Sequence, residues 1–173
     1  MNWRKVLVGV FIWLLVVLIL SSTLGRDMMS GKQPTLSSFS VIHFSGYLFF
    51  IILPVEALIP YYLAQGHAGF SLLVIALITA ILAQLIDYSL GFLLSNEIIG
   101  KVISEWRYRK SQKMIERYGD WALFFFNLLP LSSPILIFTA GVARFPLTRV
   151  LLFSSAGLFV KYVVLILTFK MFF

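Results

Sequence analysis

The sequence predicts an all-α integral membrane protein: transmembrane helices plus two opposed, proline-broken re-entrant hairpins in a pseudo-symmetric inverted repeat. Three observations predict it. First, 60% of the 173 residues are apolar and only 12% are charged. An average soluble domain carries roughly 25% charged residues, so this chain cannot build a water-facing surface. Second, the apolar residues gather into five stretches of near membrane-crossing length. Third, the second and fourth of these stretches each hold two prolines and share a local sequence, F-F-x-x-L-P.

The stretches divide the chain into an N-terminal part, residues 1–38, and a larger unit, residues 39–173. In the first part Arg4 and Lys5 precede an apolar run over 6–24. A signal peptide would need an A-x-A-like site near 21–25. None is present, and the run nearly reaches spanning length, so a retained transmembrane helix is expected, followed by a polar loop. The larger unit reads as a hairpin over 39–65, a span over 69–95, a basic helix over 96–118, a second hairpin over 121–143 and a span over 146–170. In the basic helix Ile98, Ile99, Val102, Ile103 and Trp106 recur at helical spacing, with Lys101, Glu105, Arg109 and Lys113 on other faces. That pattern fits an amphipathic helix on the membrane surface or a plain connecting helix.

The repeat is read from "FFIILP" at 49–54 and "FFNLLP" at 125–130. An alanine stands ten residues after each proline, Ala64 and Ala140. Each unit then ends in a clean span with a charged residue before a tyrosine, Asp87–Tyr88 and Lys161–Tyr162. Paired interrupted segments at matching positions are the sequence mark of transporters built from inverted repeats. Pro54, Pro60, Pro130 and Pro134 are expected to break helices, because proline removes a backbone donor and clashes with the preceding turn. With both segments re-entrant, the N-terminus and basic loop fall on the cytoplasmic side. Ten Lys/Arg then lie inside against three outside, with Lys161 in the membrane; if both segments span, the count is nine to four. The positive-inside rule favours the hairpins.

Three charges lie among apolar residues: Glu56, Asp87 and Lys161. A charge at the centre of a membrane helix costs roughly 2.5–3.5 kcal/mol on insertion scales, so these residues should face one another or a wet path. Glu56, between Pro54 and Pro60 at a hairpin tip, is placed for a cavity-facing role. Desolvation favours the neutral form of a carboxylic acid, which is the ground for expecting proton coupling there. Asp87 and Lys161 are expected to line the path or form an exchangeable ion pair, and each could equally staple helices. At the facing tip, "NLLPLSSP", Asn127, Ser132 and Ser133 offer polar contacts, and helix N-termini there could hold a phosphate or carboxylate. Arg144 reads as a topology anchor or a phosphate contact. His43 and His67 read as interfacial residues with no switch role.

Several function classes drop out. There are no cysteines, which excludes disulfides and thiolate chemistry. Two histidines, no G-x-S-x-G and no acidic metal cluster argue against an enzyme, a metal site or a cofactor. The formal charge of +7 sits beside apolar spans, where anionic headgroups explain it better than nucleic acid.

The order "LPVEALIP", "LIDYSLG", "ERYGDW", "LLPLSSPILIFTAGVARFP" and "GLFVKY", over roughly residues 40–165, resembles the DedA family, also called the VTT-domain or SNARE-associated Golgi protein family. It looks nearest to the YqaA-like branch. The resemblance implies two opposed re-entrant hairpins, each followed by a transmembrane helix, and lipid translocation or scrambling, with carrier lipids such as undecaprenyl phosphate among the substrates and proton coupling in bacterial members. The family's hairpin glutamate falls on Glu56 and its Tyr-x-x-Gly on Tyr88 and Gly91. The usual aspartate of the following helix falls on Gln84, with Asp87 three positions later. Two usual arginines of the second hairpin fall on Asn127 and Ser133, which leaves Lys161 or Arg144 to meet a phosphate.

The function expected is a transporter, flippase or scramblase for an anionic lipid or lipid-linked phosphate in a prokaryotic cytoplasmic membrane. Its partners would be membrane lipids with anionic headgroups or a polyprenyl phosphate; a homo-oligomer is allowed. The alternatives are a non-transporting membrane organising protein and a proton-coupled carrier of small solutes.

Overall fold

Thr35 opens the first helix with a reciprocal cap. Its hydroxyl accepts from the Ser38 amide at 3.2 Å, and the Ser38 hydroxyl accepts from the Thr35 amide at 3.1 Å. Such a cap is worth about 1 kcal/mol. The structure, a computed structural model, describes residues 34–48, 55–93, 105–129 and 133–172. The expected N-terminal helix over 6–24, the prolines Pro54 and Pro130, Ser132 and the apolar run over 98–103 lie outside the described residues.

Seven α-helices and one 3-10 turn make up the described chain. They are α1 (Leu36–Tyr47), the 3-10 turn (Val55–Ala57), α2 (Leu58–Ala64), α3 (Gly69–Leu93), α4 (Glu105–Tyr118), α5 (Asp120–Leu128), α6 (Ser133–Val142) and α7 (Leu147–Phe172). The two interrupted stretches are therefore each two short helices, α1 with α2 and α5 with α6. Pro60 and Pro134 do not break a helix, against the sequence expectation. Each stands in a first turn, of α2 and of α6, where backbone N–H groups have no intrahelical acceptor and proline loses nothing.

The first broken segment doubles back on itself. His67, just past α2, donates from Nε2 to the carbonyl of Pro34, just before α1, at 2.7 Å. The Ser38 and Tyr62 hydroxyls meet at 2.8 Å, and the Phe39 and Tyr62 rings pack edge-on at 5.0 Å. Asp120, at the start of the second segment, pairs with Arg149 near the start of α7 at 3.7 Å. Both segments leave through the same kind of turn. After α2, Gly66 and His67 bond back to Leu63 and Tyr62; after α6, Arg144 and Phe145 bond back to Gly141 and Ala140. Gly66 supplies the left-handed φ of 87° in the first case, and Arg144 takes a φ of 53° in the second.

The helices α3 and α7 are long and apolar enough to cross a membrane, with mean hydropathies of 2.4 and 2.2. They run antiparallel: Gly69 at the start of α3 packs on Ile166 and Lys170 near the end of α7, while Tyr88 near the end of α3 donates to the carbonyl of Phe145 at 2.7 Å. The broken segments fill the spaces around this pair. Helix α1 packs on α3 and α2 on α7; α5 packs on α7 and α6 on α3. Two glycine crossings set the closest approaches. Gly91 on α3 faces the Phe138 carbonyl on α6, with Gly141 facing the Tyr88 carbonyl in return, and Gly157 on α7 faces the Phe124 carbonyl on α5. Small residues allow backbones this close in the absence of a hydrophobic drive between helices.

Two apolar clusters follow from these pairings. One joins Phe39, Val55, Ile59, Tyr62, Leu72 and Leu158; the other joins Tyr88, Ile115, Leu123, Leu136, Ile137 and Val150. The second includes Ile115 of the basic helix, so α4 packs on α6 besides presenting its cationic face. Outside, α3 and α7 display Phe70, Ile78, Leu82, Phe159 and Leu167. Inside lie Asp87, Gln84, Asn127, His43 and Lys161. Apolar outside and polar inside is the arrangement a lipid solvent selects.

Candidate functional site

Lys161 sits near the middle of α7, on the face that meets the first broken segment. Its side chain is only 6% exposed, and its Nζ lies 2.9 Å from Glu56 Oε1. Glu56 occupies the 3-10 turn where the backbone is interrupted, and its side chain is 26% exposed. The pair therefore has a buried cation and a carboxylate at the rim. The sequence reading set Glu56 apart as a cavity-facing acid and offered Asp87 as the partner of Lys161; in the structure Lys161 pairs with Glu56.

A second ammonium proton of Lys161 goes to the Tyr47 hydroxyl at 2.8 Å. The rings of Tyr47 and Tyr162 each face Nζ at 5.4 Å, adding cation–π attraction. From Tyr47 the polar contacts continue inward. Tyr47 and Tyr162 share a hydrogen bond of 2.9 Å, Tyr162 meets His43 Nε2 at 2.8 Å, and His43 Nδ1 meets the Thr79 hydroxyl at 2.8 Å. Thr79 closes the series on the carbonyls of Ile75 and Ala76, at 2.7 and 3.1 Å. Six side chains from α1, the 3-10 turn, α3 and α7 thus form one connected chain, with the glutamate at its exposed end.

Sequence reading missed four of the six. His43, expected at an interface, is fully buried. Tyr47, Tyr162 and Thr79 carried no functional assignment. One signal was available: Phe39, His43 and Tyr47 are spaced by four, so they stack on one face of α1 with ring centroids 5.3 and 5.0 Å apart. His67, by contrast, ties the hairpin ends together.

A second buried polar group joins the other broken segment to α3. Gln84 donates to Asn127 Oδ1 at 2.7 Å, and Asn127 donates to the Leu123 carbonyl at 2.8 Å. Both residues are buried, and Gln84 Oε1 has no hydrogen-bond partner among the described residues. Asp87, fully buried, stands one turn along α3 from Gln84. Ser133 opens α6. Arg144 lies on the exposed turn after α6 with its guanidinium over the Phe92 ring at 5.2 Å, apart from the Lys161 pair in the contacts it makes. Among the described residues no group of acidic or histidine side chains could hold a metal ion.

The fold defines a helical membrane protein with charges gathered inside an apolar bundle. The VTT-domain model matches residues 53–171, and the chain belongs to this family, the DedA/SNARE-associated Golgi family. The matched region contains Glu56, Asp87 and Lys161, and leaves out His43 and Tyr47 of α1. No curated protein and no solved structure matches the chain significantly.

Proposed function

We propose that this protein is a membrane transporter of the flippase or scramblase type for an anionic lipid or lipid-linked phosphate, with the Lys161–Glu56 pair as its exchangeable site. One observation carries the reading. A buried ammonium is held by a carboxylate that is itself partly exposed and sits on an interrupted element. An anionic headgroup can replace that carboxylate without leaving the cation unpaired, whereas a structural staple needs no open side. Glu56, once displaced or protonated, is free to exchange a proton at the rim, which is the proposed route to proton coupling.

The same reading takes α1–α2 and α5–α6 as re-entrant hairpins of an inverted repeat. It is supported by the His67–Pro34 bond between the ends of the first hairpin and by the Asp120–Arg149 pair that ties the start of the second to the head of α7. The exchange of packing partners also supports it: α1 and α5 lie on the span of their own half, α2 and α6 on the span of the other. On this topology the N-terminus and α4 face the cytoplasm, and α4 meets anionic headgroups with Arg109, Lys110, Lys113 and Arg117. The YqaA-like placement rests on the sequence order alone. No catalysis and no cofactor enter the scheme.

The test is lipid translocation in liposomes, with wild type, Glu56→Gln and Lys161→Met at matched reconstitution, with and without a pH gradient. Wild type should move an anionic lipid faster than empty vesicles. Lys161→Met should lose most of this flux, and Glu56→Gln should lose its dependence on the gradient. Wild-type flux no faster than empty vesicles for phosphatidylglycerol and undecaprenyl phosphate would sink the lipid reading.

A further inference from the structure

The Lys161 site holds a single positive charge and two donors, and both facts limit what can replace Glu56. Among the described residues Lys161 is the only buried lysine or arginine, and Glu56 supplies the one negative charge that offsets it. The other titratable groups in this hydrogen-bonded cluster are Tyr47 and His43 from α1 and Tyr162 from α7; α3 contributes Thr79, which does not titrate. The second donor comes from Tyr47. Its oxygen accepts from the Lys161 ammonium at 2.8 Å and from the Tyr162 hydroxyl at 2.9 Å. The Tyr47 proton itself meets no acceptor among the described residues, although the residue is only 3% exposed. A buried donor left without a partner is costly, and an oxyanion beside Nζ would remove that cost. An anion that takes the place of Glu56 thus meets an ammonium and a phenolic O–H side by side.

We propose that this site selects a phosphodiester headgroup, with one negative charge spread over two unesterified oxygens, against a phosphate monoester, and that Tyr47 is a specificity-determining residue that donates to the second oxygen. The inference narrows the transport reading and rests on it in one respect, the use of Lys161 as the anion-binding group. Charge conservation carries the choice. Exchanging Glu56 for one negative charge leaves the buried site neutral. A monoester that has lost both protons brings two, and the excess stays uncompensated inside an apolar bundle, which is strongly disfavoured. The second proton of a phosphate monoester leaves at about pH 6, so at about pH 8 only about 1% of it carries a single charge. The monoester should then bind about a hundredfold more weakly than the diester. Near pH 5 it too carries one charge, and the difference should almost vanish. Two oxygens on one phosphorus also suit two donors that lie 2.8 Å apart.

The experiment is thermal unfolding of the full chain in detergent, titrated with dihexanoyl phosphatidylmethanol and with dihexanoyl phosphatidate. These lipids differ by one methyl ester, and a lipid that binds the folded state raises the midpoint according to its affinity. Glu56→Gln is the sensitive background, because Lys161 has lost its carboxylate there. In it the methyl ester should bind about a hundredfold more tightly than phosphatidate at about pH 8, and the two should bind about equally at about pH 5. Comparing the two lipids at each pH cancels any titration of His43 and the tyrosines. Adding Tyr47→Phe keeps a ring beside Nζ and removes the donor, so the affinity for the methyl ester should fall about tenfold or more. A purely structural loss would lower the midpoint without lipid and leave the lipid-induced rise unchanged. Lys161→Met should abolish the rise for both lipids. Phosphatidate binding as tightly as the methyl ester at about pH 8 would overturn the selection, and an unchanged affinity in Tyr47→Phe would remove Tyr47 from it. If neither lipid shifts Glu56→Gln, Lys161 binds no anion and the inference falls with that role. Selective binding without flux in liposomes would leave the single-charge site standing and sink the transport reading alone.

Discussion

At the scale of single residues, the asymmetry of the Lys161–Glu56 pair decides what each substitution costs. Removing one partner of a fully buried pair costs about 3–5 kcal/mol. Glu56 is partly exposed, so water offsets part of that figure. Glu56→Ala leaves Lys161 with Tyr47 as its remaining hydrogen-bond partner among the described residues and should destabilise the protein by a few kcal/mol, near the lower end of that range. Glu56→Gln keeps an oxygen acceptor for Nζ and should cost clearly less. Thermal unfolding in detergent, ranked Ala below Gln below wild type, checks this; equal midpoints for Ala and wild type would mean the pair contributes nothing to folding. Tyr162→Phe deletes the hydroxyl that bonds both His43 Nε2 and Tyr47 inside the bundle and should cost about 1–3 kcal/mol, the range for stranding a buried polar group. The same assay reads it. Glu56 and Lys161 were legible from the sequence because charge in an apolar run is expensive wherever it occurs. Tyr47, Thr79 and His43 were not, since tyrosine and threonine are ordinary in membrane helices and only the fold brings residues 43, 47, 79 and 162 together.

At the scale of elements, the glycines of the long helices matter more than the prolines. Pro60 and Pro134 stand in the first turns of α2 and α6, where there is no bond for proline to remove. The glycines carry no such local signature. A Cβ on Gly91 would meet the Phe138 carbonyl, and one on Gly157 the Phe124 carbonyl. Neither neighbour is a side chain that could swing away, so the helices themselves must separate. Gly91→Ala and Gly157→Ala should each cost at least the roughly 1–3 kcal/mol typical of overpacking, read as a lowered unfolding midpoint. Gly66→Ala is the contrasting case. A methyl group there would meet nothing within 4 Å, but the φ of 87° strains any L side chain. Its cost should be about 1 kcal/mol, with the helix packing unchanged. If Gly66→Ala proved worse than Gly91→Ala, the close α3–α6 crossing would not be a determinant of stability.

At the scale of the whole molecule, the open question is which side of the membrane each turn faces, and the fold makes a definite prediction. The sequence placed the two spans within a few residues, since length and hydropathy suffice for that. It could only lean toward re-entrant hairpins, because charge counts of ten to three and nine to four differ little. The packing adds what counting could not. The His67–Pro34 bond holds the ends of the first broken segment together, and the Asp120–Arg149 pair ties the start of the second to the head of α7; on the proposed topology each segment returns to the side it started from. Since the chain has no cysteine, single cysteines can be placed without further engineering. Ser37→Cys and Gln65→Cys, at the two ends of the first segment, should react with an impermeant maleimide from the same face of sealed vesicles. Lys113→Cys, on α4 ahead of the second segment, and Ala143→Cys, at its end, should both react from the opposite face. All four positions are exposed. Labelling of 37 and 65 from opposite faces would make the first segment a span. Glu56 would then lie on a crossing helix instead of at the tip of a hairpin, and the opening through which an anion is proposed to reach Lys161 would lose its structural basis. Same-face labelling at both pairs would place the two tips within the bilayer from opposite sides, and the site at the first tip would open toward the face that carries residue 65.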